Sequence, residues 1–242
     1  MPSEWDVGEF VSLVKVKIGA AHAEAMLPAL ESIPEKFRFC HYHYSRALEL
    51  MSPHKKDVKD HFAQAAAAMS MLFSQSEEER RRFVEALFGA RAHSVAFAQC
   101  LHSTADYLAK VIYRGLDLSG QHGISIPNHQ IGLRKVKEKI STVPELASIE
   151  QRIGDYLASP SSRYLSAFVN TEKHHELVDA QFSLSFSVGS VASEGIRMKA
   201  FQYSGDSFGE KWAIDFFEKD FQTILERTTE LGCVLNDYLK TK

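Results

Sequence analysis

The side chains best suited to chemistry crowd one stretch, Tyr164-Leu-Ser-Ala-Phe-Val-Asn170-Thr-Glu-Lys173-His174-His175-Glu-Leu-Val178. If residues 161–178 are helical, Arg163, Ala167, Asn170, His174 and Leu177 fall along one stripe, with Lys173 beside it. Asn170 and His174 then stand one turn apart and can reach a single ligand oxygen. Histidine serves as a general acid or base, asparagine orients or donates a hydrogen bond, and lysine adds charge suited to phosphate. The competing reading makes Asn170 and His174 interior polar groups hydrogen-bonded to other helices.

Other constellations carry less. His102 and Asp106 are one turn apart on an earlier helix and could form a histidine–carboxylate pair facing Asn170 and His174. The structural alternative is a buried histidine oriented by a carboxylate. Glu172-x-x-His175 has the spacing of a di-iron ligand pair, but such sites use two of these motifs plus further glutamates, and the sequence holds no second one. His41 and His43 point to different helix faces. No metal or other cofactor is therefore expected. Glu77 to Arg82 reads as a solvated helix start. The basic run Arg134, Lys135, Lys137 and Lys139 is a surface face or an RNA-backbone contact, and the acidic overall charge favours the former.

Bulk composition narrows the class. The chain has 242 residues, 45% hydrophobic and 24% charged, with a net charge of -3. That is ordinary for a soluble globular protein and supplies no global basic field. Cys40, Cys100 and Cys233 are odd in number and far apart, which fits thiols in a cytoplasmic protein better than a disulfide frame. The N-terminus lacks the pattern of a signal peptide, and no apolar run approaches the ~20 residues of a membrane span.

The elements that must position these groups are mainly helical. Residues 4–31 form a first helix that Pro28 ends or kinks, a second runs from Ser32 to about Leu50, and 54–73 form a third, rich in Ala and Met. Ser76 with three following glutamates starts a helix with no strong stop before Gly115, and Gly89 is where a bend or break is expected. Its later half carries the stripe Val95, Ala98, His102, Ala105, Ala109, Ile112, Leu116, widened by Leu101, Leu108 and Val111, as a central bundle helix would. A loop over 118–127, a short basic helix over 129–140 capped by Asn128, a helix from Pro144 to about Ala158, and the helix from Ser159-Pro160 follow. Then Phe182, Leu184, Phe186 and Val188 alternate with serines, and Ile196 to Tyr203 reads as the partner strand. The last helix spans about 211–239 and carries Phe217, Phe221, Ile224, Leu231, Leu235 and Tyr238 at heptad-like spacing. The expectation is one mainly α domain over 1–242: a helical bundle with a long central helix and a two-stranded β-hairpin at about 181–203 before the C-terminal helix. Residues 1–52 would add an N-terminal layer.

A helical bundle whose late helix opens with Asn-x-x-x-His resembles the HEPN superfamily. Its ribonuclease members carry an Arg, often followed directly by a polar residue such as Asn, and then a His after a gap of four to six residues. Here Asn170 and His174 match, while Val169 stands at the Arg position. Arg163 lies on the same stripe about 16 Å from His174 along the axis. The helix around Leu101 to Leu108 is similar to the second bundle helix of such proteins. The combination Phe168-Val169-Asn170-Thr171-x-Lys173-His174 is similar to an uncharacterised bacterial branch, and the likeness spans about residues 54–240. It implies metal-independent RNA cleavage by two protomers whose motifs line one groove: His174 as acid/base, Asn170 positioning the phosphate, Lys173 stabilising its charge. Lysine is a point charge and no bidentate fork, so loss of the Arg turns the expectation towards a non-catalytic RNA-associated protein in defence or stress response. The partners it implies are a second copy and RNA; no membrane is involved. The rival is a non-enzymatic scaffold that docks a protein partner.

Overall fold

The computed structural model describes residues 4–51, 76–185 and 193–242. The helix expected over 54–73, and Phe186 and Val188 of the expected strand, lie outside them. Helices dominate: α1 (Val7–Lys17), α2 (Ala20–Met51), α3 (Glu77–Gly115), α4 (Leu118–His122), α5 (Leu133–Ile140), α6 (Ala147–Ala158), α7 (Pro160–His174) and the closing α8 (Phe221–Thr241). Between α7 and α8 come the short strands β1 (Ala180–Ser185), β2 (Ser193–Met198), β3 (Phe201–Tyr203), β4 (Asp206–Phe208) and β5 (Lys211–Trp212). This is the mainly α class, with antiparallel strands before the last helix, that the sequence predicts. Among the described residues no helix is long and apolar enough to cross a membrane.

The first break differs from expectation. α1 ends at Lys17, and the chain turns at Gly19, whose φ of 140° suits glycine. α2 then continues through Pro28 and Pro34 without ending at either. Each proline in a helix interior costs about 3 kcal/mol. Met26, Leu30 and Ile33 are buried on the inner face of α2, and at about 1.5–3 kcal/mol each they offset that loss.

α3 is likewise continuous. Ser76 caps it, accepting from the Glu79 amide at 3.4 Å, and its 39 residues span about 58 Å. The break expected at Gly89 is not there. A Cβ at Gly89 would lie 2.9 Å from Cδ1 of Leu50, so this glycine serves the close approach of the end of α2.

The chain forms two compact units: residues 1–38, 100–166 and 220–242 make the first, residues 39–99 and 167–219 the second. In the first, α8 packs on α1 and α6, and α5 on α6. The buried stripe of α8 is Ile224, Thr228, Leu231, Leu235 and Leu239, spaced as helix packing requires. Trp5, just before α1, donates to Asn236 at 3.4 Å, and the Asn236 amide donates to the Asp6 carbonyl at 2.9 Å. Lys240 pairs with Glu9 at 2.8 Å. The start of the chain is thereby fastened to its last helix.

The second unit has an aromatic core. Phe168 meets Phe216 (centroids 5.3 Å) and Phe201 (6.1 Å), Phe201 stacks on Phe208 (5.2 Å), and Phe217 meets Phe97 (4.8 Å) and Tyr44 (4.9 Å). β1 pairs with β2 in the register Ala180↔Met198 to Ser185↔Ser193. The expected partner strand, Ile196–Tyr203, is split: β2 stops at Met198, and Phe201 begins a separate hairpin with β4 through Ser204 and Gly205, both at positive φ. Residues 211–212, expected to open the last helix, instead add β5 to β2. A π-turn, Phe216–Asp220, then precedes α8.

Candidate functional site

α7 starts as its sequence dictates. The Ser159 hydroxyl accepts from the Ser162 amide at 3.2 Å, and Pro160 sits where a missing N–H costs nothing. The helix ends at His174, four residues short of the expected 178. The amides of His175 and Glu176 both donate to the Thr171 carbonyl, at 3.0 and 3.2 Å. The chain then folds back: Glu172 accepts from the Val178 amide at 2.7 Å, and Arg91 donates to the Val178 carbonyl at 2.9 Å. Val178 is buried by this strap, while Leu177 is 70% exposed. Burial holds the Glu172 carboxyl above the ordinary carboxylate range, against the Val178 amide and Arg91, which draw it down.

The candidate residues divide by environment. Lys173 and His174 are exposed, and Asn170 is half-buried, so His174 is not the interior group of the competing reading. Asn170 and His174 do share one face of the last turn. His175 is also exposed, and its ring meets Tyr203 edge-on at 6.0 Å. Lys173 and His174 lie where the partial negative charge of a helix C-terminus favours cations. A phosphate binding here must overcome that same partial charge. Val169, at the position of the resembling family's Arg, is 0% exposed. It is core, and a guanidinium there would have no route to solvent.

His102 and Asp106 fall in the first unit, whereas Asn170, Lys173 and His174 fall in the second. His102 is half-buried and Asp106 exposed. The core face of α3 there takes in Ala98, Ala109, Ile112 and Leu116 of the expected stripe together with Leu101, Thr104, Leu108 and Val111, and leaves His102 and Ala105 half-buried at its margin. The Tyr156 hydroxyl bonds to Thr104 and Thr228; burial first, and the Asp106 charge last, push it up to about 12.

The basic run on α5 is half neutralised: Lys135 pairs with Glu138 at 2.9 Å and Lys137 with Glu150 at 2.5 Å. Asn128 does not cap this helix; Gly132 stands at its N-cap, and the Asn128 side chain accepts from Arg114 at 3.0 Å. At the start of α3, Arg80 pairs with Glu77 and Arg82 with Glu78, all solvated. Among the described residues no three His, Cys, Asp or Glu side chains converge as a metal site requires.

Sequence reasoning missed two features of the second unit. His43 and His93 meet through Nδ1 atoms 2.9 Å apart, a pairing set by the phases of α2 and α3. A groove of about 310 Å³ runs beside α3, with Phe88 and Leu177 at its rim. Their exposure is the only signal, and periodicity does not report it.

Compared with protein-family models, with curated proteins and with solved structures, the chain matches none.

Proposed function

We propose that this chain is a HEPN-like helical protein that associates with RNA through the exposed end of α7 and does not cleave it efficiently. One observation supports this above others: Lys173, His174 and His175 are exposed in sequence, the His175 ring meets Tyr203, and Val169 is buried. A cation and imidazole N–H groups suit phosphate oxygens, and an adjacent tyrosine ring suits a base. Cleavage demands more. Charge developing on a phosphorane needs a preorganised donor, and the residue that would supply it is replaced by a core valine. In this reading the protein acts in the cytoplasm, where Cys40, Cys100 and Cys233 stay thiols, in a defence or stress response.

The test is binding of a labelled single-stranded RNA pool at low salt, with cleavage followed in the same samples with and without chelator. Wild type is expected to bind without appreciable cleavage. Lys173→Ala should weaken binding and reduce the salt slope by about 1, and His174→Ala should weaken it at unchanged fold. Wild type that fails to bind, or variants that bind equally well, would overturn the reading. Chelator-resistant cleavage lost in His174→Ala would overturn its non-catalytic half.

A further inference from the structure

α3 presents, on one face of the second unit, more exposed apolar surface than isolated side chains account for. Phe88 is 75% exposed and Val84, one turn earlier, 56%. Leu177, 70% exposed, stands across the groove beside them. Ala92 and Ala96 continue the row from Phe88 at four-residue spacing and line the groove. Rows of this spacing are the ridges that interdigitate when two helices pack, and small residues let backbones approach. Exposed apolar side chains gathered round one groove mark an interaction surface.

The charges say which partner fits. Glu85 and Arg91 lie three residues to either side of Phe88. A two-fold axis at Phe88 reverses α3, so Glu85 of each copy meets Arg91 of the other and Val84 faces Ala92. An axis one turn further on, at Arg91, would instead set like guanidinium groups opposite each other. Glu85 has the reach for this: its carboxylate is 69% exposed, and its contact within the chain, Arg81, is 3.9 Å away. Arg91 is already oriented by its bond to the Val178 carbonyl, and a guanidinium keeps further donors. A surface that complements itself in both shape and charge is what an isologous contact requires.

We infer that this face of α3 binds a second copy of the chain, antiparallel about Phe88, with reciprocal Glu85–Arg91 ion pairs. The inference stands on the groove and its charges, not on the RNA reading.

A residue on the two-fold meets its own copy, which makes the geometry testable by cross-linking. Phe88→Cys, an exposed substitution, is expected to give a disulfide-linked dimer under mild oxidation. Val95→Cys, which the axis sets opposite Arg81, and wild type, with its own three cysteines, should not. In sedimentation, wild type should be dimeric. Glu85→Arg should raise the dimer dissociation constant by about tenfold or more, and adding Arg91→Glu should restore it. Monomeric wild type, or a dimer that Phe88→Cys does not link and Glu85→Arg does not weaken, would overturn the inference.

Discussion

His43 and His93 face each other through Nδ1 atoms 2.9 Å apart, so one ring must donate a proton that the other accepts. A second proton leaves both rings donors, and the contact fails. Burial first, and His93 second, hold His43 below the ordinary histidine value of 6.5. The unfolded chain therefore takes up the proton before the folded one does. Stability from this pair is complete above that ordinary value and is lost as pH falls through the lowered one. Thermal unfolding from about pH 7.5 to about pH 5.5 should show a declining midpoint, with a shallower decline in His93→Ala. Parallel profiles for the two proteins would refute the assignment.

Val169→Arg restores the residue that the HEPN resemblance lacks, but at a fully buried position. It is expected to destabilise by about 3 kcal/mol or more, read from the urea midpoint, and to confer no nuclease activity. A well-folded variant that cleaves RNA would show that the site can open to solvent.

Lys173→Ala and His174→Ala each remove an exposed polar side chain from a helix end. Each should cost no more than about 1 kcal/mol, so a loss of RNA binding in either reports on the surface and not on folding. A large drop in urea midpoint would contradict their exposure.

Gly232 lies beneath Trp5, and a Cβ there would overlap the indole ring. Alanine is the better helix former by about 1 kcal/mol, yet Gly232→Ala should destabilise by about 1–3 kcal/mol through overpacking. In a Trp5→Ala background the same change should become neutral or favourable. An unchanged sign in that background would mean the indole is not what crowds the site.

Tyr156 is pushed up to about 12 from an ordinary 10.0, chiefly by burial. The unfolded chain thus loses its proton first as pH rises. Stability should fall from about pH 10 upward, by at most about 1.4 kcal/mol per pH unit from this group. Tyr164, also raised by burial and then by Asp220, acts in the same direction. Tyr156→Phe should flatten the alkaline profile; an unaltered profile would count against the assignment.

What the sequence disclosed tracks the physics of each element. The stripe of α8 was legible because Ile224, Leu231 and Leu235 repeat at the spacing that burial demands. The Ser76 and Ser159-Pro160 starts were legible because capping is local. Pro28 misled because its cost is local while its compensation, the burial of Met26, Leu30 and Ile33, is tertiary. The end of α7 misled in the opposite way: Leu177 and Val178 extend the apolar pattern, but Val178 reaches the core through the strap held by Glu172 and Arg91. The exposure of His174 follows from that strap and could not be read before it. The pairing of His43 with His93 depends on the phases of two helices and leaves no trace in either one.

The bond from Trp5 to Asn236 joins positions 231 residues apart, and each unit is assembled from interleaved stretches of chain. Domains that are contiguous can fold in turn as they leave the ribosome. Here the second unit lacks residues until position 219 has been made, and the first until α8 is complete. The face of α1 that α8 covers, and the bonds from Trp5, Asp6 and Glu9 to Asn236 and Lys240, must therefore wait until more than 200 further residues have been made.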